Sequence, residues 1–324
     1  QMMGLFDSDV KVINFAICWN IFIYLSTLLI INNVKILNFR QSAGNRNGSS
    51  ETTRKINYFI YYENFQPQQI KDINPDFLSW FVGFTEGDGS FITDNKRNIF
   101  IIVQKDPKIL YYIKTNLGFG SVIKRKDGYF IFRVTDQINI DRLIRIFYGN
   151  LQLNKTNLRF KNWEKVYINY RKLNNKLDFS NIPNNNLISL KNGWLSGFID
   201  AEGCFNSSFR NKITYSLRLK FILDQKGEID ILEKILSLLD NNHLKIYDRI
   251  NIKTMQRIII TSNFSILFNY LDHYPLKSNK IIDYKRFLRI YNYKLLPKKE
   301  YLEIISNPKS FYKLENLIKS INKE

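Results

Sequence analysis

Two short segments of this sequence hold residues that could do chemistry, because each contains two carboxylates separated by one small residue. The segments are Trp80–Phe91 and Trp194–Phe205, which match at a constant offset of 114 residues (194 minus 80). A ligand set of carboxylate oxygens, without histidine or cysteine as ligands, favours the hard cations Mg²⁺ and Ca²⁺. A metal-activated water then suits phosphodiester hydrolysis. The acids concerned are Glu86, Asp88, Asp200 and Glu202.

Other kinds of catalytic site have little support in the composition. The chain of 324 residues has only two cysteines and two histidines. That number excludes a disulfide scaffold and gives no cluster of the kind that binds zinc. The chemistry is therefore expected from carboxylates, lysines, hydroxyls or a bound metal.

A helix is predicted to end at each pair of acids. Asn74 is a plausible N-cap before Pro75, and Asn192 is placed to cap the second helix. Small residues recur every fourth position in both helices, which lets two helix backbones pack closely. Gly89 and Gly203 are expected to end the helices in the left-handed conformation. Because a helix C-terminus is electrostatically negative, acids gathered there need a cation. The small residues are Ser79, Gly83 and Gly87, then Gly193, Gly197 and Ala201.

The pattern after each motif also repeats. Period-two alternation, most evident in Asn206–Leu223, predicts strands with one buried and one polar face. Both repeats are consistent with a helix, two strands, a helix, two strands and closing helices. The second helices are predicted at Pro107–Leu117 and Glu228–Leu239.

The positive charge is divided almost equally between the two repeats. Lys and Arg number 48 against 29 Asp and Glu, a net charge of +19. Residues 76–190 carry +8 (18 positive, 10 negative) and residues 191–324 carry +9 (23 positive, 14 negative). Such a balance favours a nucleic-acid partner over a membrane-binding tail.

The first 69 residues differ from the rest. Residues 12–34 are uncharged and long enough to span a membrane, although several Asn, Ser and Thr interrupt them. A marginal membrane helix and a vestigial leader are both consistent with this stretch. Residues 41–55 have the small, polar composition of a linker.

The repeated segments resemble the nine-residue signature of the LAGLIDADG homing endonucleases, at residues 81–89 and 195–203. Two copies in one chain resemble the single-chain branch of that family. The resemblance implies an α+β fold of two pseudo-symmetric αββαββα halves, with antiparallel, saddle-shaped sheets and a central pair of motif helices. The expected domains are a leader and linker at 1–69, a first half at 70–180 and a second half at 190–324.

The resemblance also implies the site. The eighth signature position carries the metal-binding catalytic carboxylate, here Asp88 and Glu202. The backbone carbonyls of Gly87 and Ala201 are expected to face the metal, with Glu86 and Asp200 secondary. Mg²⁺ is the expected cofactor, and Ca²⁺ is expected to bind without supporting cleavage. Two glutamines and two lysines are expected to complete the sites: Gln104, Gln225, Lys155 and Lys280.

The implied activity is site-specific cleavage of double-stranded DNA by a monomer, with a staggered cut at a long asymmetric target and no small-molecule cofactor. An RNA maturase that assists splicing of its own intron remains the alternative. A membrane protein anchored through residues 12–34 is a third possibility. The resemblance, with a residue bias towards AT-rich codons, suggests a mitochondrial protein encoded in an intron. The polar strand faces and adjoining turns supply the candidate DNA contacts: Lys96, Arg97, Lys124, Arg125, Lys126, Arg133, Asn206, Ser208, Arg210, Arg218 and Lys220.

Overall fold

The computed structural model describes Tyr58, Tyr61 and residues 74–95, 97–171, 188–211, 213–241, 244–249 and 252–321. The stretch at 12–34, the linker at 41–55 and Lys96 lie outside the described residues. So do the predicted domain boundaries near residues 70 and 180; these two and the boundary near residue 190 stay predictions. Within the described ranges, no helix combines the length and apolar character that crossing a bilayer requires.

The first repeat has the predicted element order. Its opening helix starts as expected, since Asn74 Oδ1 accepts a hydrogen bond of 2.8 Å from Asp76 N. The elements are α1 (Pro75–Asp88), β1 (Gly89–Asp94), β2 (Arg97–Gln104), α2 (Pro107–Leu117), β3 (Ser121–Lys124), β4 (Phe130–Val134), α3 (Gln137–Phe147) and α4 (Asn154–Arg171).

The second repeat follows the same order and continues into two further helices. Its opening helix has Gly193 as N-cap, and Asn192 Oδ1 accepts a hydrogen bond of 2.9 Å from Trp194 N. The elements are α5 (Trp194–Glu202), β5 (Gly203–Phe209), β6 (Leu217–Lys226), α6 (Ile229–Leu238), β7 (Tyr247–Arg249), β8 (Ile252–Ile260), α7 (Ser265–His273), α8 (Lys280–Leu295), α9 (Lys298–Ser306) and α10 (Pro308–Ile321).

Each repeat builds its own four-stranded antiparallel sheet. The strand orders are β1-β2-β4-β3 and β5-β6-β8-β7, so the two sheets have the same topology. One face of each sheet is covered by helices. Phe100 and Phe132 of the first sheet and Leu219 and Phe221 of the second are completely buried on that face. The opposite face of each sheet is not covered by the core.

The two motif helices pack directly against each other, as the small residues predicted. A Cβ atom added to Gly83 would lie 2.0 Å from the backbone oxygen of Trp194. In the reciprocal contact, a Cβ on Gly197 would lie 1.9 Å from the backbone oxygen of Trp80. Real Cβ atoms do not approach oxygen so closely, so only glycine permits this seam between α1 and α5.

The expected conformation of the glycines after these helices is wrong. Gly89 has φ −79° and ψ 146°, and Gly203 has φ −73° and ψ 148°, so both are extended and not left-handed. The need for glycine has another cause. A Cβ on Gly89 would lie 2.6 Å from the backbone oxygen of Thr85, and one on Gly203 would lie 2.8 Å from that of Ile199. The chain turns from each helix into its first strand too tightly for a side chain.

Candidate active site

The seam brings together the C-terminal ends of α1 and α5, and with them the two eighth-position acids. Asp88 is the last residue of α1 and Glu202 the last of α5. A Cβ on Gly87 would lie 3.3 Å from Oε1 of Glu202, so this carboxylate lies against the end of the opposite helix. Two acids that are 114 residues apart in sequence therefore share one site.

The environment of the two acids disfavours their negative charge. Burial raises the pKa of Asp88 to about 6; the Glu202 and Asp200 carboxylates raise it further, and Lys280 opposes the shift. Burial also raises the pKa of Glu202, while Lys155 and Lys280 lower it. Buried carboxylates that repel one another are stabilised by a nearby cation.

The two glutamines expected near the site each lie beside one of these acids. Gln104 Nε2 donates a hydrogen bond of 2.7 Å to Oδ2 of Asp88. Gln225 is buried, and its amide lowers the pKa of Glu202. Among the described residues, however, Gln225 Nε2 has no hydrogen-bond partner of ordinary geometry. Gln104 therefore holds the Asp88 carboxylate directly, whereas Gln225 has a buried, unpaired amide donor next to Glu202.

Both expected lysines reach the site. The positive charge of each one acts on the eighth-position acid of the opposite half. Lys155, near the start of α4, donates from Nζ to Oε1 of Gln225 in the second half. Lys280, at the start of α8, donates to the backbone oxygen of Ala201 at 2.7 Å, and Asp88 of the first half is the carboxylate that most raises its pKa. Burial outweighs these neighbours and lowers the pKa of both lysines. Each centre therefore combines an acid of one half with a lysine of the other, a crosswise arrangement that spacing along the chain did not reveal.

The sixth-position acids are buried anchors for the loops that precede α4 and α8. Glu86 accepts hydrogen bonds from the backbone N–H groups of Gln152 and Leu153, the latter at 2.7 Å. Burial raises the pKa of Glu86 to about 8, although both N–H groups lower it. These contacts fix the segment that presents Lys155.

Asp200 does the same for the other lysine. Its carboxylate accepts hydrogen bonds from Lys277 N at 2.7 Å and from Ser278 N at 3.1 Å. It also accepts one of 2.8 Å from the indole Nε1 of Trp80, in the first half. The repetition of an acid at the sixth position was the one sequence signal for this role.

The donors at the seam are suited to a hard divalent cation. Within the described part of the chain, no group of three or more His, Cys, Asp and Glu could hold a metal ion. The available ligands are thus the two eighth-position carboxylates with backbone oxygens, as Mg²⁺ uses when phosphate and water complete its shell. Of the expected carbonyls, that of Ala201 accepts from Lys280 here.

The open face of the second sheet is largely polar, as predicted. Cross-strand pairs Asn206–Lys220 and Ser208–Arg218 place these four side chains on that face, opposite the buried Leu219 and Phe221. Arg257 and Asp224 form a bidentate ion pair on the same face, at 2.6 Å. Arg210 follows β5 and is exposed.

The first sheet differs, and the expectation of a polar face is wrong there. Of the predicted contacts, Arg97 and Arg133 lie on its open face, where most other residues are aliphatic. None of these aliphatic side chains packs against the core, and Ile92 and Ile123 are 38% and 46% exposed. This aliphatic face comprises Ile92, Ile99, Ile101, Val103, Ile123 and Ile131.

The remaining basic candidates of the first half lie at the β3–β4 hairpin. Lys124 shares the face of Phe130, with its Nζ 5.9 Å from that ring, so it does not project from the open face. Arg125 forms an exposed ion pair of 2.9 Å with Asp127. Lys126 lies in the turn and is exposed. These side chains extend the basic surface beyond the sheet.

Comparison with known proteins gives the sequence relatives. "Probable intron-encoded endonuclease 4" of Neurospora crassa is 38% identical over 227 residues, which cover 66% of this chain and 40% of that protein. "Intron-encoded RNA maturase bI4" of Saccharomyces cerevisiae is 30% identical over 202 residues, or 56% of this chain and 30% of that protein. The chain thus spans less than half the length of either relative.

Solved structures share the fold. The structure described as I-SmaMI bound to an uncleaved DNA target in the presence of calcium ions has a TM-score of 0.58 and 20% identity, and the match covers 78% of this chain and 100% of that one. At this identity the likeness shows a common architecture. It agrees with the two pseudo-symmetric halves predicted from the repeat.

The sequence also matches a known protein family directly. Residues 81–167 and 195–291 match the family described as LAGLIDADG endonuclease, one region in each half. Each region begins at the first residue of a nine-residue signature and ends within a closing helix of its half, in α4 or in α8. Together they cover more than half of the chain, which belongs to the LAGLIDADG endonuclease family.

Proposed function

We propose that this protein is a site-specific DNA endonuclease that hydrolyses one phosphodiester bond in each strand of a duplex. The observation that carries the proposal is the pair of acids Asp88 and Glu202 at the seam. Each acid lies beside a glutamine and within the influence of a lysine from the opposite half. Two such centres side by side suit two cuts displaced along the duplex, and so a staggered double-strand break.

Relatives support the choice of substrate. The similar protein of Neurospora crassa is named an intron-encoded endonuclease, and the similar solved structure is described as bound to DNA. The net charge of +19 fits a polyanionic partner. Because the open faces of the two sheets differ in polarity, the proposed target is asymmetric. One chain already supplies both halves, so a monomer is the proposed functional unit.

Mg²⁺ is the cofactor we propose, held by the carboxylates of Asp88 and Glu202 with backbone oxygens at Gly87 and Ala201. When bound, it would activate water and neutralise charge on the phosphate. Ca²⁺ has the same preference for oxygen ligands, and we propose that it binds without supporting cleavage. The repulsion between the two acids is the observation that fits a divalent cation here.

The side chains around the acids have separate tasks in this proposal. Gln104 holds the Asp88 carboxylate in one orientation through its 2.7 Å hydrogen bond, and the spare amide donor of Gln225 faces the second centre. Lys155 and Lys280 place an ammonium group at each centre, where negative charge develops on the phosphate. Burial lowers the pKa of both lysines, which eases proton donation to the departing oxygen.

The relatives are named as intron-encoded proteins of fungi. Together with the residue bias of the sequence, this supports an intron reading frame and action in the mitochondrial matrix. Intron homing is then the proposed biological outcome of cleavage.

A cleavage selection tests the proposal. Purified protein is incubated with a randomised duplex library in Mg²⁺, and the cut molecules are sequenced. We expect one long, asymmetric target, cut in both strands. Glu202→Gln should bind that target with unchanged affinity and cleave at least about 100-fold more slowly. Glu303→Gln, at an exposed site on α9, is the control and should cleave normally. A protein that selects no target in Mg²⁺ or Mn²⁺ would contradict the proposal.

A second function, RNA binding as a maturase, is favoured by a separate surface. The helices α8 and α10 pack on the buried face of the second sheet and α9 packs against α10, so the outer side of this helical layer points away from the open face of the sheet. That outer side carries exposed cations, and the similar yeast protein is named an RNA maturase. These residues are Lys285, Arg289, Lys294, Lys298, Lys299, Lys309, Lys313 and Lys319.

RNA binding at this surface has a direct test. Replacing both Lys298 and Lys299 with Glu should weaken binding to a transcript of the intron carrying this reading frame, and leave binding to the DNA target unchanged. Equal loss for both ligands would show that RNA and DNA use one surface. Unchanged RNA binding would contradict the assignment.

A further inference from the structure

Four successive backbone N–H groups at the start of α4 are held by two carboxylates from different halves of the molecule. Glu86 of the first half accepts from Gln152 and Leu153. Glu228 of the second half accepts from the next two residues, from Asn154 N at 3.1 Å and from Lys155 N at 2.8 Å. A helix start binds carboxylates well, because its N–H groups are unpaired and its dipole is positive.

The Glu228 side chain is committed to this contact. It precedes α6 directly but makes no side-chain cap to its own helix. Glu228 is 2% exposed, and each of its two carboxylate oxygens accepts one N–H from the other half. A buried carboxylate hydrogen-bonded to backbone N–H groups is a strong and geometrically specific tie.

The tie bears directly on one catalytic centre. Lys155 is fixed through its backbone N–H by Glu228, and its Nζ returns to the second half at Gln225 Oε1. Among the charges that act on Lys155, those of Glu202 and Glu228 are the two largest of the carboxylates. The second half of the molecule thus positions both the backbone and the side chain of Lys155, and Lys155 contributes its charge to the centre in that half.

At the other centre, the described residues form no equivalent tie. Asp106 precedes α2 at the position corresponding to Glu228, but it caps its own helix by accepting from Lys108 N at 3.0 Å. Its second oxygen accepts a hydrogen bond of 2.5 Å from the Asn279 side chain. No hydrogen bond joins Asp106 to a backbone N–H of α8 in the part of the chain described. The two lysines are therefore held differently.

We propose that Glu228 is a positioning residue for the catalytic centre of Glu202 and Lys155, and that it controls cleavage of one DNA strand and not the other. The inference rests on the proposed endonuclease function. Loss of the tie would shift Lys155 relative to Gln225 and leave Lys280 in place. The expected phenotype is a nicking enzyme.

Strand-resolved cleavage tests the inference. The selected target duplex, labelled at both 5′ ends, is cut by wild-type protein, Glu228→Gln, Lys155→Met and the exposed control Glu233→Gln on α6. A displacement of about 1 Å can cost up to roughly 100-fold in rate, so we expect Glu228→Gln to slow one strand about 10- to 100-fold and the other less than about threefold. The slowed strand should be the one that Lys155→Met slows. Glu233→Gln should resemble wild type.

Equal slowing of both strands would overturn the inference, because general destabilisation has no strand preference. Unchanged rates on both strands would overturn it too. Hydrogen exchange of the free protein gives a readout that does not need activity. In Glu228→Gln the backbone amides of Asn154 and Lys155 should exchange at least about tenfold faster, while that of Leu153, held by Glu86, keeps its rate. Unchanged exchange at residues 154 and 155 would contradict the tie itself. Absence of any wild-type cleavage would instead count against the proposed function.

Discussion

The indole Nε1 of Trp80 donates a hydrogen bond of 2.8 Å to Oδ2 of Asp200 across the seam between the two halves. The same carboxylate accepts from Lys277 N and Ser278 N, so one buried acid joins the first motif helix to the loop before α8. The pseudo-equivalent indole, that of Trp194, lies towards Glu86 but outside ordinary hydrogen-bond geometry. The two halves thus place equivalent residues at the seam, but the tryptophan–carboxylate hydrogen bond forms in only one of the two equivalent positions.

This difference predicts unequal effects of two similar substitutions. Trp80→Phe removes a hydrogen bond to a buried carboxylate and should lower the free energy of unfolding by about 1–3 kcal/mol beyond the loss of ring volume. Trp194→Phe loses the same volume and no such bond, so it serves as the matched control. Urea denaturation of both variants measures the difference. Equal destabilisation would show that the bond contributes nothing.

The close approach of α1 and α5 predicts that neither seam glycine tolerates even one methyl group. Gly83→Ala would place its Cβ 2.0 Å from the Trp194 oxygen, which requires the helices to separate. We expect little folded protein, or a loss of stability of more than about 3 kcal/mol. Gly128→Ala is the control, because its Cβ would meet nothing within 4 Å and its φ of 86° costs only about 1–2 kcal/mol. A Gly83→Ala variant as stable as Gly128→Ala would contradict the seam.

A buried acid on α4 predicts how stability depends on pH. Burial raises the pKa of Glu164, on α4, from 4.5 to about 7, and Lys161 opposes the shift only in part. Its folded-state pKa exceeds the unfolded value, so folding favours the protonated form. Any stability that this linkage provides is present below pH 4.5 and is lost as pH rises towards and through 7.

Glu164→Gln should therefore gain stability over wild type as pH increases from 5 to 8. Urea denaturation at several pH values measures that gap. Glu303→Gln, on the exposed face of α9, is the control and should follow wild type throughout. A gap that stays constant with pH would contradict the raised pKa of Glu164.

The aliphatic face of the first sheet predicts how that half reads its part of the target. Aliphatic side chains recognise the C5-methyl of thymine in the major groove. Replacing thymine with deoxyuridine removes only that methyl, so we expect about fourfold weaker binding for each thymine contacted, from about 0.8 kcal/mol per methyl. The loss should be confined to one half of the target.

The variant Ile101→Ala identifies the half concerned. Ile101 lies mid-sheet, paired with Ser90 and Arg133, so its truncation should remove part of the uracil effect without affecting the fold. Ile222→Ala, on the open face of the second sheet, is the control. If uracil weakens both halves equally, the aliphatic face does not read thymine.

Much of this fold could be predicted from the sequence because the repeat is supported by local signals. The Asn74 cap, the alternation in Asn206–Leu223 and the glycines at spacing four each predict one element, and the repeat predicts their pairing. The eighth-position acids follow from the same pattern. These features depend on neighbours within a few residues, or on a partner named by the repeat.

The crosswise contacts could not be predicted in this way. Lys155 meets Gln225, and Glu228 meets the start of α4, only because the seam orients the two halves. No spacing in the chain records that orientation. The predicted conformation of Gly89 and Gly203 was wrong for a related reason. A helix can end at an extended glycine as well as at a left-handed one. Steric contact with Thr85 decides between them.

Strand-resolved cleavage of the selected target tests the central claim most directly, namely that Asp88 and Glu202 lie at two centres of one endonuclease. Wild-type protein, Asp88→Asn and Glu202→Gln are compared in Mg²⁺, with binding measured in Ca²⁺. We predict that wild type cuts both strands, that each variant binds with wild-type affinity, and that each loses at least about 100-fold in the cleavage of at least one strand. Either variant cutting both strands at the wild-type rate would contradict the account.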